Sequence, residues 1–191
     1  MEEQKQITFT SQEILEQRAR RLAKKPEVEQ IGETIHILII ALDQERYGLP
    51  VADIMEIQPL TIFTPVPGVS TYWLGLFNLR STLVPLLDLR AYLGLTAFPI
   101  NPSKGDSRQN RQINNWDGQI IIAQKDGNPV GLLVDFVLET RKILLTEIKA
   151  PLENLPKDQK NVVCGLTSEM ITILNIQNLL GDPALTINHH K

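Results

Sequence analysis

Few residues in this sequence have a type and spacing suited to chemistry, and the clearest of them suggests binding. Arg80 lies in an otherwise apolar stretch between Trp73 and Val84, so its guanidinium group must reach solvent or an acceptor. A guanidinium group donates hydrogen bonds in a fork that suits a carboxylate or a carbonyl oxygen. The acceptor is either on a partner protein or inside this chain, where Asp88 and Glu56 are the candidates.

The sequence contains no familiar catalytic motif. There is no Gly-x-x-x-x-Gly-Lys phosphate loop, no Gly-x-Ser-x-Gly elbow and no Cys or His pair with zinc spacing. The carboxylates Asp53 and Glu56, or Asp88 and Asp135, could act as acid and base only if the fold happened to bring them together. We therefore predict a protein that is not an enzyme and that has no metal ion and no cofactor.

The remaining reactive side chains have structural explanations. Cys164 is the only cysteine, so an internal disulfide is excluded and a reducing compartment is expected. We predict that Cys164 is a small apolar filler, that His36 is a structural histidine at the start of an apolar strand, and that His189 and His190 belong to a frayed end.

The composition is that of an ordinary soluble globular protein. The chain has 191 residues, 42% of them hydrophobic, and a formal net charge of −3, which argues against nucleic acid as a partner. The longest apolar run, residues 35–42, is far shorter than the roughly 20 residues that span a bilayer. Residues 1–10 carry no apolar signal core. We expect a cytoplasmic protein.

The predicted elements are one helix followed by mostly β structure. Thr10 and Glu13 form a capping box, and a basic amphipathic helix follows until Pro26. Either the apolar stripe of this helix docks on the domain and its basic face is solvated, or the helix binds a membrane surface or an acidic partner. Runs rich in β-branched residues then predict strands, at 35–42, 48–57, 83–89, 119–123, 130–139 and 170–176.

The two β-rich halves of the sequence repeat each other, with an offset of about 80 residues. A stretch rich in Pro, Asn and Ser separates the two halves, and its composition predicts a loop or linker. We predict two small barrels with a groove between them and short helical turns at 90–93 and 177–180. The expected boundaries are a tail and helix at 1–34, barrels at 35–95 and 118–181, a linker at 96–117 and a tail at 182–191. The matching segments are Ile39-Ile40-Ala41 with Ile121-Ile122-Ala123, Gly48, Val51 and Glu56 with Gly131, Val134 and Glu139, and Leu86-Leu87-Asp88-Leu89 with Ile173-Leu174-Asn175-Ile176.

Several motifs, found in order between about residues 35 and 180, resemble the CheW family of bacterial chemotaxis coupling proteins. The combination of Asn-Leu-Arg with Val-Pro-Leu-Leu-Asp-Leu-Arg is specific. The motifs are Tyr47-Gly48, Met55-Glu56-Ile57, Pro65-Val66-Pro67-Gly68, Gly75-Leu76-Phe77-Asn78-Leu79-Arg80, Val84-Pro85-Leu86-Leu87-Asp88-Leu89-Arg90 and Val130-Gly131-Leu132-Leu133-Val134-Asp135.

The resemblance implies two five-stranded SH3-like barrels that join a methyl-accepting receptor tip to the regulatory domain of a CheA-type histidine kinase, without catalysis. Carried over by position, it places Asn78, Leu79 and Arg80 on a receptor-facing turn. It places Ile54, Glu56 and Val137 in a receptor-binding groove, and Gly75 near a kinase-binding surface at strand edges and barrel ends. It also implies recruitment to receptor arrays at the membrane.

Two positions depart from the family pattern, because Ser81 and Phe136 stand where the family usually has glycine. Serine adopts positive φ less readily than glycine, and an exposed Phe136 would enlarge an apolar contact beside Val137. With the helix and the linker, these departures suggest a paralogous array, such as one controlling type IV pili or phototaxis.

Some alternatives remain open from the residues alone. Ile54 and Val137 pack in a core or between barrels, or they meet a partner. Trp73 and Trp116 are buried or half-buried aromatics, or interface anchors. The whole protein could instead be a small SH3-like module that binds RNA or a small molecule.

Overall fold

The structure is a computed structural model that describes residues 32–59, 62–98, 111–112, 118–151 and 157–185. The described strands and helices all belong to the unit Glu33–Lys191. The predicted N-terminal helix, most of the linker at 96–117, Trp116 and residues 186–191 lie outside the described residues.

The described part of the chain is mostly β, with short helical segments. Its strands are β1 Thr34–Leu42, β2 Glu45–Pro50, β3 Ile54–Pro59, β4 Ile62–Phe63, β5 Trp73–Leu79, β6 Thr82–Asp88, β7 Arg111–Gln112, β8 Gln119–Lys125, β9 Asn128–Val134, β10 Phe136–Leu144, β11 Val163–Leu166 and β12 Ile171–Leu174. Its helices are α1 Leu89–Tyr92, α2 Lys157–Lys160 and α3 Ile176–Leu180, and its 3-10 turns are Val51–Asp53, Leu145–Glu147 and Pro183–Leu185.

The large sheets each have five strands and combine both halves of the chain. Sheet 1 has the order β10-β1-β2-β12-β11, and sheet 2 has the order β3-β8-β9-β6-β5. The hairpin β1–β2 from the first half thus joins three strands of the second half, and the hairpin β8–β9 joins three strands of the first. The sheets therefore do not follow the expected ranges 35–95 and 118–181, because the halves exchange their first hairpins.

The exchange explains where the predicted strands break. The sequence predicted single strands at 48–57 and 130–139, and each of them is two strands that belong to different sheets. Pro50 ends β2, since proline lacks the N–H group that would continue the ladder, and the turn Val51–Asp53 leads to β3. In the second half Asp135 alone separates β9 from β10.

The strand pairings confirm the internal repeat. β1 pairs antiparallel with β10 as β8 pairs with β3, and β2 pairs parallel with β12 as β9 pairs with β6. An isolated bridge joins the segment beyond the edge strand to the opposite edge in each sheet, at Thr64–Leu76 and at Lys149–Leu166. These bridges bring the two edges of each sheet together, as a small barrel requires.

A single apolar cluster joins the two sheets. It contains Leu38 and Ile40 of β1 together with Phe77 of β5 and Ile121 of β8. The alternate residues of β1, among them Ile37, belong to a smaller cluster within sheet 1. Because β1 is covered on both faces, it reads in the sequence as a continuous apolar run and lacks the usual alternation.

We expect Gly75→Ala to lower the free energy of unfolding by roughly 3 kcal/mol or more. Gly75 has a φ of 147°, and a Cβ atom there would overlap with the carbonyl group of Thr64, which lies at the closure of sheet 2. The matched control is Gly127→Ala, which also has positive φ but has no atom within 4 Å of the added Cβ; it should cost only about 1 kcal/mol. Equal costs in urea unfolding would contradict the close approach at Gly75.

Candidate functional site

The receptor-facing residues predicted on sheet 2 meet in an exposed ion pair. Arg80 Nη2 lies 2.5 Å from Glu56 Oε2, which connects the turn between β5 and β6 to strand β3. The Arg80 side chain is 81% exposed and that of Glu56 is 27% exposed. Of the internal acceptors considered for Arg80, Glu56 is therefore the one found, and the guanidinium group still faces solvent.

The backbone of the Arg80 turn is held by a side chain. Arg80 and Ser81 have φ values of 47° and 71°, as a two-residue hairpin turn of type I′ requires. Asn78 Oδ1 accepts a hydrogen bond of 2.8 Å from the Ser81 N–H group. Leu79 is half-buried and packs against the main apolar cluster. Asn78 and Leu79 thus support the turn that presents Arg80.

The two apolar residues predicted for the groove belong to different sheets. Ile54 opens β3 in sheet 2, and Val137 lies in β10 of sheet 1. Both are half-buried and pack against the main apolar cluster. The Val137 N–H group donates a 2.8 Å hydrogen bond to Gln119 Oε1 of β8, which places Val137 at the seam between the sheets. Ile54 and Val137 therefore pack against the core, and part of each side chain stays exposed.

Gly75 has a structural explanation that the sequence did not reveal. It is buried within β5, and its missing side chain lets the backbone of Thr64 approach closely. The role near a kinase-binding surface that the resemblance implies for Gly75 stays a prediction.

Several apolar side chains are exposed near these residues, and of them only Phe136 was considered from the sequence as an apolar contact. Met55 and Ile57 flank Glu56 on β3 and are 54% and 39% exposed, and Leu83 on the neighbouring hairpin is 67% exposed. On β10, Phe136 and Leu138 are 54% and 50% exposed. The sequence did contain a signal for them: Met55 and Ile57, like Phe136 and Leu138, are two positions apart, which places both members of each pair on the same face of a strand.

The buried carboxylates Asp88 and Asp135 have different partners. Asp88 caps α1 by accepting from the Ala91 N–H group at 2.9 Å, and it also accepts from the Phe98 N–H group at 3.2 Å. Burial raises the pKa of the Asp88 carboxyl group, although these hydrogen bonds oppose the shift. Asp135 instead forms an ion pair with Arg90, at 3.3 Å. Both carboxylates therefore act as structural groups.

A groove lies apart from the predicted site. The groove has a volume of about 760 Å³. Its lining includes Tyr47, Leu93 and Met170 and comes from the β1–β2 turn, β2, β11, the β11–β12 turn, β12, α2 and the segment after α1. None of the seven predicted site residues lines it. The Tyr47 hydroxyl group donates to Glu45 Oε2 at 2.5 Å, and burial, followed by the neighbouring carboxylate, raises the pKa of Tyr47.

Three other sequence predictions have clear outcomes. Cys164 is exposed on the edge strand β11, so the prediction of an apolar filler is wrong. His36 is exposed near the start of β1, whereas we expected a structural histidine. Trp73 is half-buried, as predicted, and its indole N–H group donates a 3.0 Å hydrogen bond to the carbonyl oxygen of Leu185.

The part of the chain that the structure describes contains neither a candidate metal site nor a candidate membrane-spanning helix. No group of three or more His, Cys, Asp or Glu side chains there is arranged to hold a metal ion. No helix in the same ranges is both long and apolar enough to cross a membrane.

Comparison with known proteins identifies the family. The model of the CheW-like domain matches residues 36–184, which is most of the chain. The chain belongs to this family. The chemotaxis protein CheW of Helicobacter pylori is 28% identical over 78% of this chain and 82% of its own length. The chemotaxis protein CheW of Bacillus subtilis is 26% identical over 73% of this chain and 81% of its own length.

A solved structure supports the architecture. The scaffolding protein CheW from Thermoanaerobacter tengcongensis superposes with a TM-score of 0.58 at 24% sequence identity, over 75% of this chain and 90% of that protein. This similarity confirms the predicted fold, which is mostly β with two five-stranded SH3-like subdomains related by an internal repeat.

We expect Ser81→Gly, which restores the usual family residue, to raise the free energy of unfolding by roughly 0.5–1 kcal/mol. Ser81 has a φ of 71°, where any residue except glycine is strained. Ser168→Gly is the control, because Ser168 is exposed in the turn between β11 and β12 without positive φ and its replacement should not stabilise the protein. A Ser81→Gly protein that is no more stable than the wild type in urea would contradict a strained turn.

Proposed function

We propose that this protein is a non-catalytic adaptor that couples methyl-accepting chemotaxis receptors to a CheA-type histidine kinase. The observation that carries the proposal is the Arg80–Glu56 pair on a projecting hairpin turn, in a chain whose family and fold are those of chemotaxis scaffolds. An adaptor of this kind works by binding two partners in a defined geometry, so a shift of the receptor changes the population of active kinase states.

The receptor surface that we propose consists of the Arg80–Glu56 pair, the apolar residues beside it, and Ile54 and Val137 at the seam between the sheets. A surface ion pair contributes little to stability, about 0–1 kcal/mol, so Arg80 can exchange Glu56 for a carboxylate or carbonyl group of a receptor helix at small cost. Ile57, which follows Glu56 on β3, and Leu83, three residues after Arg80, are exposed apolar side chains close to this pair in the sequence. Arginine is one of the residue types enriched among those that dominate binding energy.

The kinase surface that we propose is the outer strand of sheet 1. β10 lies at one end of the strand order of sheet 1, and the bridge Lys149–Leu166 that closes this sheet lies beyond the last residue of β10, so the outer edge of β10 is the place where another strand could pair. Phe136 and Leu138 add two exposed aromatic and aliphatic side chains on the same strand. Large apolar side chains on a strand edge favour a protein partner over solvent. The Arg80 turn belongs to sheet 2 and the exposed side chains of β10 belong to sheet 1, so the receptor and the kinase would contact different side chains.

The setting that we propose is a membrane-associated receptor array in the cytoplasm that controls movement. Relatives named as chemotaxis proteins support control of motility. Serine at position 81 and phenylalanine at position 136 both lie in the proposed binding surfaces. Because both departures are at partner-facing positions, we propose a paralogous array with its own receptor, such as one for type IV pili or phototaxis.

We expect Arg80→Glu to weaken binding of a receptor-tip fragment by about 2 kcal/mol or more, without loss of the fold. The substitution reverses the charge of the exposed guanidinium group and places it beside Glu56. Arg141→Glu is the control, because Arg141 is also an ion-paired surface arginine but lies in sheet 1. Isothermal titration measures both, and unchanged affinity of the Arg80→Glu protein would remove Arg80 from the receptor surface.

We expect Phe136→Asp to lower the affinity for a kinase regulatory domain about tenfold or more, because it places a charge in the apolar centre of the proposed interface. Met170→Asp changes another exposed apolar residue of the unit, 70% exposed, and should have little effect. Both proteins should bind the receptor-tip fragment like the wild type. Equal kinase affinity of the Phe136→Asp and wild-type proteins in the titration would exclude β10 as the kinase surface.

A further inference from the structure

A buried ion pair lies where the chain passes from sheet 2 to sheet 1. Asp135 is the single residue between β9, which belongs to sheet 2, and β10, which belongs to sheet 1. Its carboxylate pairs with Arg90 of α1, at 3.3 Å from Nη1 to Oδ1. The two side chains are only 12% and 10% exposed. The residue at which the chain passes from sheet 2 to sheet 1 is therefore fixed by an ion pair of its side chain.

The Asp135 carboxylate contacts both sheets at once. Its Oδ2 atom accepts a 2.6 Å hydrogen bond from the N–H group of Asp43, in the turn between β1 and β2 of sheet 1. Arg90 follows β6 of sheet 2 by two residues and is itself held by the ring of Phe98, at 5.0 Å from the guanidinium carbon to the ring centre. The pair thus joins a turn of sheet 1 to the helix that follows sheet 2.

The other crossing has an equivalent contact that is weaker. There the chain passes from β2 to β3 through Val51–Asp53, and Asp53 Oδ1 accepts a 2.9 Å hydrogen bond from Gln177 Nε2 of α3. Gln177 follows β12 of sheet 1 as Arg90 follows β6 of sheet 2. However, this contact is exposed and contains one charge. The repeat therefore provides a matched internal control for the buried pair.

We infer that Arg90 and Asp135 are positioning residues that fix the orientation of sheet 1 relative to sheet 2. This inference rests on the proposed function, because the orientation places Val137 and Phe136 of sheet 1 relative to the Arg80–Glu56 pair of sheet 2. Val137 lies two residues after Asp135, so movement at the crossing reaches it directly. A buried ion pair is weak evidence for stability, since apolar or neutral replacements of both partners are often tolerated. We therefore expect the pair to affect the orientation of the two sheets more than the free energy of unfolding.

The double variant Arg90→Met with Asp135→Asn separates orientation from stability. Methionine approximates the length of the arginine stem without its charge, and asparagine keeps an oxygen acceptor for the Asp43 N–H group. The pair is removed as a whole, and the buried carboxylate of Asp88, which Arg90 also stabilises, keeps its hydrogen bonds from the Ala91 and Phe98 N–H groups. We expect this variant to unfold at nearly the wild-type urea concentration and to hold the sheets in a wider range of orientations.

The distance between two spin labels measures that orientation. Exposed Cys164 on β11 provides a site in sheet 1, and Asn128→Cys at the exposed start of β9 provides one in sheet 2. Pulsed electron resonance should give one narrow distance distribution in the otherwise wild-type protein. The double variant should give a broader distribution and bind the receptor-tip fragment about tenfold more weakly. Arg90→Lys, which keeps the charge, should restore most of both properties.

Gln177→Ala is the matched control at the other crossing and should leave the distance distribution narrow. An unchanged distribution in the double variant, equal broadening in Gln177→Ala, or broadening without loss of receptor affinity would each overturn the positioning role. If the double variant does not fold, Asp135→Asn removes the ion pair by itself and Arg90→Lys is its charge-keeping control. A wild-type protein that does not bind the fragment would overturn the proposed function, while the distance distributions would still decide whether the pair holds the orientation.

Discussion

The exchange of hairpins between the two sheets is the constraint on which the rest of this structure depends. Neither half of the chain can complete a five-stranded sheet alone, because its first two strands pair with the last three strands of the other half. The exchange obliges the chain to cross between sheets twice, at Val51–Asp53 and at Asp135. It also places the apolar face of β1 against strands of sheet 2, so one cluster of buried side chains serves both sheets.

This architecture suits a protein that acts by geometry. The shared core limits the freedom between the two sheets, because close-packed interiors transmit displacement and resist deformation, and the inferred role of the Arg90–Asp135 pair is to set the orientation that remains. The proposed receptor surface lies on β3 and the β5–β6 turn of sheet 2 and reaches Val137 at the seam, and the proposed kinase surface lies on the exposed side chains of β10 of sheet 1. A change at one surface can therefore reach the other through a rigid connection. Small shifts become useful signals only when both binding surfaces keep a fixed relation to each other.

Sequence reasoning recovered the repeat, the β class and the short helical turns, because all three depend on local patterns. Equivalent apolar triplets mark the repeat in the sequence, and the predicted turns at 90–93 and 177–180 correspond to α1 and α3, whose N-termini Asp88 and Asn175 cap in the structure. The exchange itself was not predictable in this way, since pairing between distant strands leaves no local signal and Asp135 looks like an interior strand residue. The Arg80–Glu56 pair was one of several possibilities until the fold joined β3 to the β5–β6 turn. Cys164 was misjudged because its burial depends on the position of β11 at a sheet edge.

Scanning calorimetry of the full chain tests the central claim most directly, since shared strands and a shared core must melt together. The account predicts a single transition for the two sheets, with a van't Hoff enthalpy equal to the calorimetric enthalpy. Two resolved transitions, or a van't Hoff enthalpy near half of the calorimetric value, would show that the sheets unfold independently and would contradict it.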